Sequence, residues 1–115
     1  GAAVYACPNA KFTWLMDEAD KAAAREASAR ALGQALAEPF DLLVLDEACA
    51  ALKSGILDEA LLRRAVAFAK NGREVVLTGR DPAPWLQEAA DYSTEMRAHK
   101  HPYADGVAAR EGVEY

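Results

Sequence analysis

Strands alternating with helices predict an α/β domain, a three-layer, mostly parallel sheet with helices on both faces. Three observations carry that expectation. Residues 41–45 (Asp-Leu-Leu-Val-Leu) and 74–78 (Glu-Val-Val-Leu-Thr) are apolar without alternation, as strands buried on both faces of a parallel sheet are. Strong helix formers precede and separate them. The chain's 115 residues suffice for one compact domain, 1–115, and not for two.

The elements follow in order. Ala3 to Cys7 is short and apolar and ends at Pro8-Asn9, which reads as a strand and a turn. Because Gly1 opens almost directly onto it and reads as a tag remnant, further sequence is expected upstream. Asp17 to Glu38 predicts a long helix with carboxylates in its first turn and Pro39 as its stop. Ala23, Ala27, Ala31 and Ala35 recur every fourth residue beside Leu32 and Leu36, giving a narrow face for close packing.

The strand over 41–45 runs into Asp46-Glu47, and Ala48 to Lys53 predicts a short helix broken near Gly55. A charge at Val44, inside a sheet covered on both faces, is expected to unfold the domain. Asp58 caps a second helix running to about Lys70, closed by Asn71-Gly72. After the strand over 74–78 comes Gly79-Arg80. Asp81-Pro82 then reads as a cap with proline at the first helical position, for a helix ending near Ala90. Tyr92 to Arg97 predicts a last strand. The tail from Ala98 is read as loop with a short terminal strand.

Composition narrows the function. A net charge of −5 with no basic stripe argues against nucleic acid as a partner, since phosphate neutralisation needs clustered Lys and Arg. No apolar run is long enough to cross a bilayer. Cys7 and Cys49 have no metal spacing and read as reduced cysteines of a cytoplasmic protein.

In open parallel sheets, ligands bind beyond the C-terminal ends of the strands. That rule selects Asp46-Glu47, Thr78-Gly79-Arg80 and His99-Lys100-His101. A strand ending in two carboxylates suits Mg²⁺ held near phosphates, because magnesium takes hard oxygen ligands and keeps several waters. The structural alternative is that Asp46 and Glu47 only cap the next helix. Arg80 offers a planar fork to phosphate oxygens, or is a surface residue after a turn. Lys100 and His101 sit in a cationic, aromatic loop whose default reading is solvated. Phe12 and Trp14, two aromatics one residue apart, are either anchors for the following helix or a functional pair. The pattern G-x-x-x-x-G-K-[ST] does not occur in these residues.

Taken together, Phe12-Thr13-Trp14, Val44-Leu45-Asp46-Glu47, Val76-Leu77-Thr78-Gly79-Arg80, Ala89-Ala90-Asp91, Thr94-Glu95-Met96-Arg97, Lys100-His101-Pro102-Tyr103 and Gly112-Val113-Glu114-Tyr115 resemble, in order and spacing, the ATP:corrinoid adenosyltransferases of the P-loop type. The resemblance implies a P-loop NTPase-like fold represented here by its C-terminal part, without the first strand and the phosphate loop. It implies transfer of the 5′-deoxyadenosyl group of ATP to Co(I) of a corrinoid, with triphosphate released. By the same resemblance Phe12 and Trp14 would lie against the corrinoid and displace its lower axial ligand. Glu47, supported by Asp46, would hold Mg²⁺, and Arg80 would contact ATP. Lys100 and His101 match a family motif near the nucleotide. A homodimer and an electron-donating reductase are the implied partners. Ala48-Cys49-Ala50 and Ala104-Asp105-Gly106 depart from the family's usual residues. The alternatives are a non-catalytic paralogue that binds corrinoid or a partner chain, and a different P-loop-type ATPase.

Overall fold

The computed structural model describes residues 1–7 and 15–112. Helix α1 spans Glu18–Ala37. It starts where expected because Asp17 closes a capping box: its carboxylate accepts from the Asp20 N–H (2.7 Å) and the Asp20 carboxylate accepts from the Asp17 N–H (3.4 Å). Strand β1 is Leu42–Leu45, α2 is Ala48–Lys53 and α3 is Glu59–Ala67. Asp58 caps α3 by accepting from the Leu61 N–H at 2.9 Å. A 3₁₀ turn, Phe68–Asn71, follows and ends at Gly72, whose φ of 76° is left-handed and suits a residue without Cβ. Strand β2 is Glu74–Leu77, α4 is Pro84–Ala89, and a second 3₁₀ turn covers Pro102–Asp105.

Strands β1 and β2 pair in parallel, with Leu43 opposite Val75 and Leu45 opposite Leu77. Leu43, Leu45 and Leu77 face the core. Leu43 is buried with Leu32, Leu36, Ala48, Cys49, Leu62 and Leu86, so α1, α2, α3 and α4 all contribute to one core on that face. Leu62 and Ala65 of α3 are fully inaccessible, and burying a leucine in this way contributes roughly 1.5–3 kcal/mol.

The opposite face is open. Leu42 and Val44 are 55% exposed and Val76 44%. Among the described residues the expected three layers are therefore two, and the sheet has two strands. Continuous apolarity in β1 predicts burial on both faces, but among the described residues helices cover one face only. The expectation that a charge at Val44 unfolds the domain is corrected with it, because that side chain points to solvent.

Four further readings are corrected. Residues 3–7 and 92–97 are not strands: no ladder partner reaches them among the described residues, and Val4, Tyr92 and Met96 are largely exposed. Residues 107–110 carry no strand either, and 113–115 lie outside the described residues. Helix α4 is capped by Ala83, with Pro84 in its first turn, rather than by Asp81 and Pro82.

The two ends of the sheet differ. At the N-terminal end the Glu74 N–H donates to the Asp41 carbonyl (2.8 Å), and Phe40 meets Phe68 edge to face at 5.5 Å. The Arg73 guanidinium lies over both rings, at 4.9 and 4.8 Å. That end carries an open depression lined by Pro39, Phe40, Asp41, Asn71, Gly72 and Arg73. The C-terminal end is where polar groups gather.

Candidate functional site at the C-terminal edge of the sheet

Parallel pairing in register brings the two strand ends side by side. The Thr78 N–H donates to the Leu45 carbonyl at 3.1 Å, extending the ladder one step beyond β2. Asp46-Glu47 leaves one strand at this point and Thr78-Gly79-Arg80 leaves the other. All five residues are exposed.

The Thr78 hydroxyl joins the two turns. It donates to Asp46 Oδ1 at 2.6 Å and accepts from the Glu47 N–H at 2.9 Å. The Thr78 carbonyl accepts from the Cys49 N–H at 3.3 Å. Glu47 itself has φ 54°, a left-handed conformation that costs a residue with a Cβ on the order of 1 kcal/mol. Such strain persists only where neighbours over-determine the backbone. Here three hydrogen bonds from one threonine do so.

Glu47 is also the N-cap position of α2, yet its side chain makes no capping hydrogen bond. The Asp46 carboxylate is held by Thr78 and not by helix amides. The alternative in which the acidic pair only caps the helix therefore lacks the contacts it needs. Among the described residues no group of three or more His, Cys, Asp or Glu side chains could enclose a metal ion. Two exposed carboxylates fit Mg²⁺ in particular, since that ion takes one or two protein carboxylates and fills its octahedron with water and phosphate oxygens.

Arg80 and His101 come together on the walls of an open depression, with Tyr103 and Ala104 completing it. Lys100 is exposed and is not part of that lining. His101 Nδ1 accepts from the Tyr103 N–H at 3.1 Å and so caps the turn at Pro102–Asp105. When neutral, the ring thus carries its proton on Nε2. Phe12 and Trp14 lie outside the described residues.

Two neighbours set the local electrostatics. Lys53 Nζ donates to Asp81 Oδ2 at 2.6 Å, and this hydrogen bond, with the lysine's charge, holds the Asp81 carboxyl below the usual carboxylate range. Asp81 too is left-handed, with φ 50°. Burial pushes the Cys49 thiol up, and the negative charge of Glu47 adds to that.

The sequence points to the segment Thr78-Gly79-Arg80 but assigns its chemistry to Arg80 and none to Thr78. The usable signal was register: once 41–45 and 74–78 are parallel neighbours of equal length, the hydroxyl after one falls beside the carboxylate after the other.

A family model described as ATP:corrinoid adenosyltransferase BtuR/CobO/CobP matches residues 3–115. A corrinoid adenosyltransferase of Pseudomonas aeruginosa is 38% identical over 106 residues, covering 90% of this chain and 52% of the relative. One from Sinorhizobium sp is 38% identical over 110 residues, 90% of this chain and 50% of the relative. One from Escherichia coli is 30% identical over 106 residues, 90% and 54% respectively. The chain spans about half the length of the curated relatives it matches.

Proposed function

The chain belongs to the ATP:corrinoid adenosyltransferase family, and we propose that it forms the part of such an enzyme that handles the metal-bound triphosphate and the corrinoid. It corresponds in this reading to the C-terminal part of a P-loop-like α/β fold, folding as one domain. The observation that carries the reading is the acidic turn. Asp46 and Glu47 leave a parallel strand beside Thr78-Gly79-Arg80, and the Glu47 carboxylate is not spent on capping α2.

In the proposed reaction the Co(I) centre of the corrinoid attacks C5′ of ATP. A Co–C bond forms as the C5′–O bond breaks, and triphosphate leaves with the bonding pair. Glu47 and Asp46 would hold Mg²⁺, and the ion when bound would supply positive charge against that leaving group. Arg80 presents its guanidinium fork to phosphate oxygens. His101 shapes the neighbouring loop, and Lys100 adds positive charge near the nucleotide. Phe12 and Trp14 meet the lower face of the corrinoid, where apolar groups offer the cobalt no lone pair and favour loss of the axial ligand. A homodimer and an electron-donating reductase complete the proposal, and the cytoplasm is its compartment. No glycine-rich phosphate motif occurs within these 115 residues, so the chain by itself is expected to adenosylate negligibly.

The test is a titration with a Co(II) corrinoid followed by visible absorbance. The expected result is a spectral change in the parent that is lost in the double variant Phe12→Ala, Trp14→Ala. An unchanged parent spectrum, or a change indifferent to both substitutions, counts against an adenosyltransferase role. Added ATP and reduced corrinoid should give almost no product, and turnover typical of a complete enzyme would refute the incomplete site.

A further inference from the structure

We propose that Thr78 is the positioning residue of the acidic turn, fixing where the Glu47 and Asp46 carboxylates point. The inference rests on the reading of that pair as a magnesium-binding site and deepens it. Three contacts converge on this one residue. Its hydroxyl hydrogen goes to Asp46 Oδ1 (2.6 Å), its hydroxyl oxygen takes the Glu47 N–H (2.9 Å), and its carbonyl takes the Cys49 N–H (3.3 Å). They span the residue before, the residue at and the second residue after the left-handed position.

The donor and acceptor assignments are forced. A carboxylate can only accept, so Thr78 must donate to Asp46, and the lone pairs then remaining face the Glu47 amide. One oxygen of Asp46 is thus committed to Thr78, and the residue as a whole is exposed. The hydrogen bond from the Glu47 amide to Thr78 accompanies its φ of 54°, and the Glu47 side chain makes no capping hydrogen bond to α2. Outer-shell groups of this kind orient ligands and tune the site they surround. Valine has the shape of threonine without the hydroxyl, and serine has the hydroxyl without the methyl, so the two substitutions separate hydrogen bonding from packing. Thr78 is exposed, and neither change reaches the core.

The experiment uses the 115-residue chain and two NMR readouts, with a thermal melt as fold control. The three-bond coupling between the Glu47 amide and Hα reports its φ, and paramagnetic broadening by Mn²⁺ reports ion binding at the turn. In Thr78→Val the Glu47 coupling should leave its left-handed value and Mn²⁺ affinity should fall about ten-fold. Thr78→Ser should restore both, and Thr78→Ala repeats the measurement should the valine variant not fold. Parent-like coupling and affinity in the valine and alanine variants overturn the proposal. A parent chain that shows no broadening near Asp46 and Glu47 at millimolar Mn²⁺ instead sinks the magnesium reading, and any role of Thr78 towards an ion with it. A broadened parent with indifferent variants sinks the positioning role alone.

Discussion

A Cβ added to Gly79 would stand 2.8 Å from the Cβ of Cys49 and 3.1 Å from its backbone nitrogen. The turn after β2 thus presses directly on the first turn of α2, and only hydrogen fits between them. Gly79 also has φ 133°, which a side chain rarely adopts. Gly79→Ala should cost about 1–3 kcal/mol of stability, read as a lower urea midpoint at unchanged slope. A midpoint within error of the parent would mean that the two turns separate without penalty.

The inner and outer faces of the sheet should respond differently to substitution. Leu62 is fully buried, so Leu62→Ala should lose about 2–5 kcal/mol. Val44 is 55% exposed, and Val44→Asp should cost about 1 kcal/mol or less, the span of strand preference at an open position. Equilibrium denaturation of both variants orders the two losses, and the reverse order would put the core on the wrong side of β1.

The ion pair between Lys53 and Asp81 predicts a pH dependence. The folded carboxyl of Asp81 titrates below its ordinary value of 3.8 because Lys53 donates to it. A depressed folded pKa means that the contribution is present above the unfolded value and fades as pH falls through the folded one. Asp81→Asn, which also tolerates the left-handed backbone, should melt lower than the parent at neutral pH. The gap should close in strong acid. A gap that stays constant from neutral to acid would exclude Lys53 as its cause.

Cys49 is buried and its thiol is pushed up, first by that burial and then by Glu47. The thiolate is the reactive species, so alkylation at neutral pH should be slow in the folded chain. Denaturant should release it. Mass spectrometry after a timed iodoacetamide pulse distinguishes Cys49 from the half-buried Cys7. Rapid native labelling of Cys49 would contradict the packing of α2 on the sheet.

Local chemistry made several elements legible in the sequence. Asp17 and Asp58 announce their helices because a carboxylate there satisfies amides only a few residues away. Pro39 and Asn71-Gly72 stop theirs for equally local reasons. The strands at 42–45 and 74–77 followed from branched, apolar runs, and the C-terminal edge of the sheet as a gathering point followed from their parallel order. The failures were non-local. Whether Val44 is covered depends on layers that its own neighbours do not encode. Tyr92 to Arg97 has the residues of a strand but no ladder to join among the described residues. Asp81 resembled a cap, yet Lys53, 28 positions away, claims its carboxylate. Thr78 bonds to residues 31 and 32 positions distant, a pairing that becomes visible only after register is known.

A ribbon of two strands has a lateral margin on each side, and among the described residues neither margin of this one is paired. The amides and carbonyls there remain ready to zip onto another extended chain, with Leu42, Val44 and Val76 supplying grease above them. In a concentrated solution the nearest material able to satisfy both needs is a second molecule of the same kind. The geometry that leaves the acidic corner accessible to small ions thereby also makes the isolated chain prone to clump, and light scattering should rise with concentration well before the helices melt.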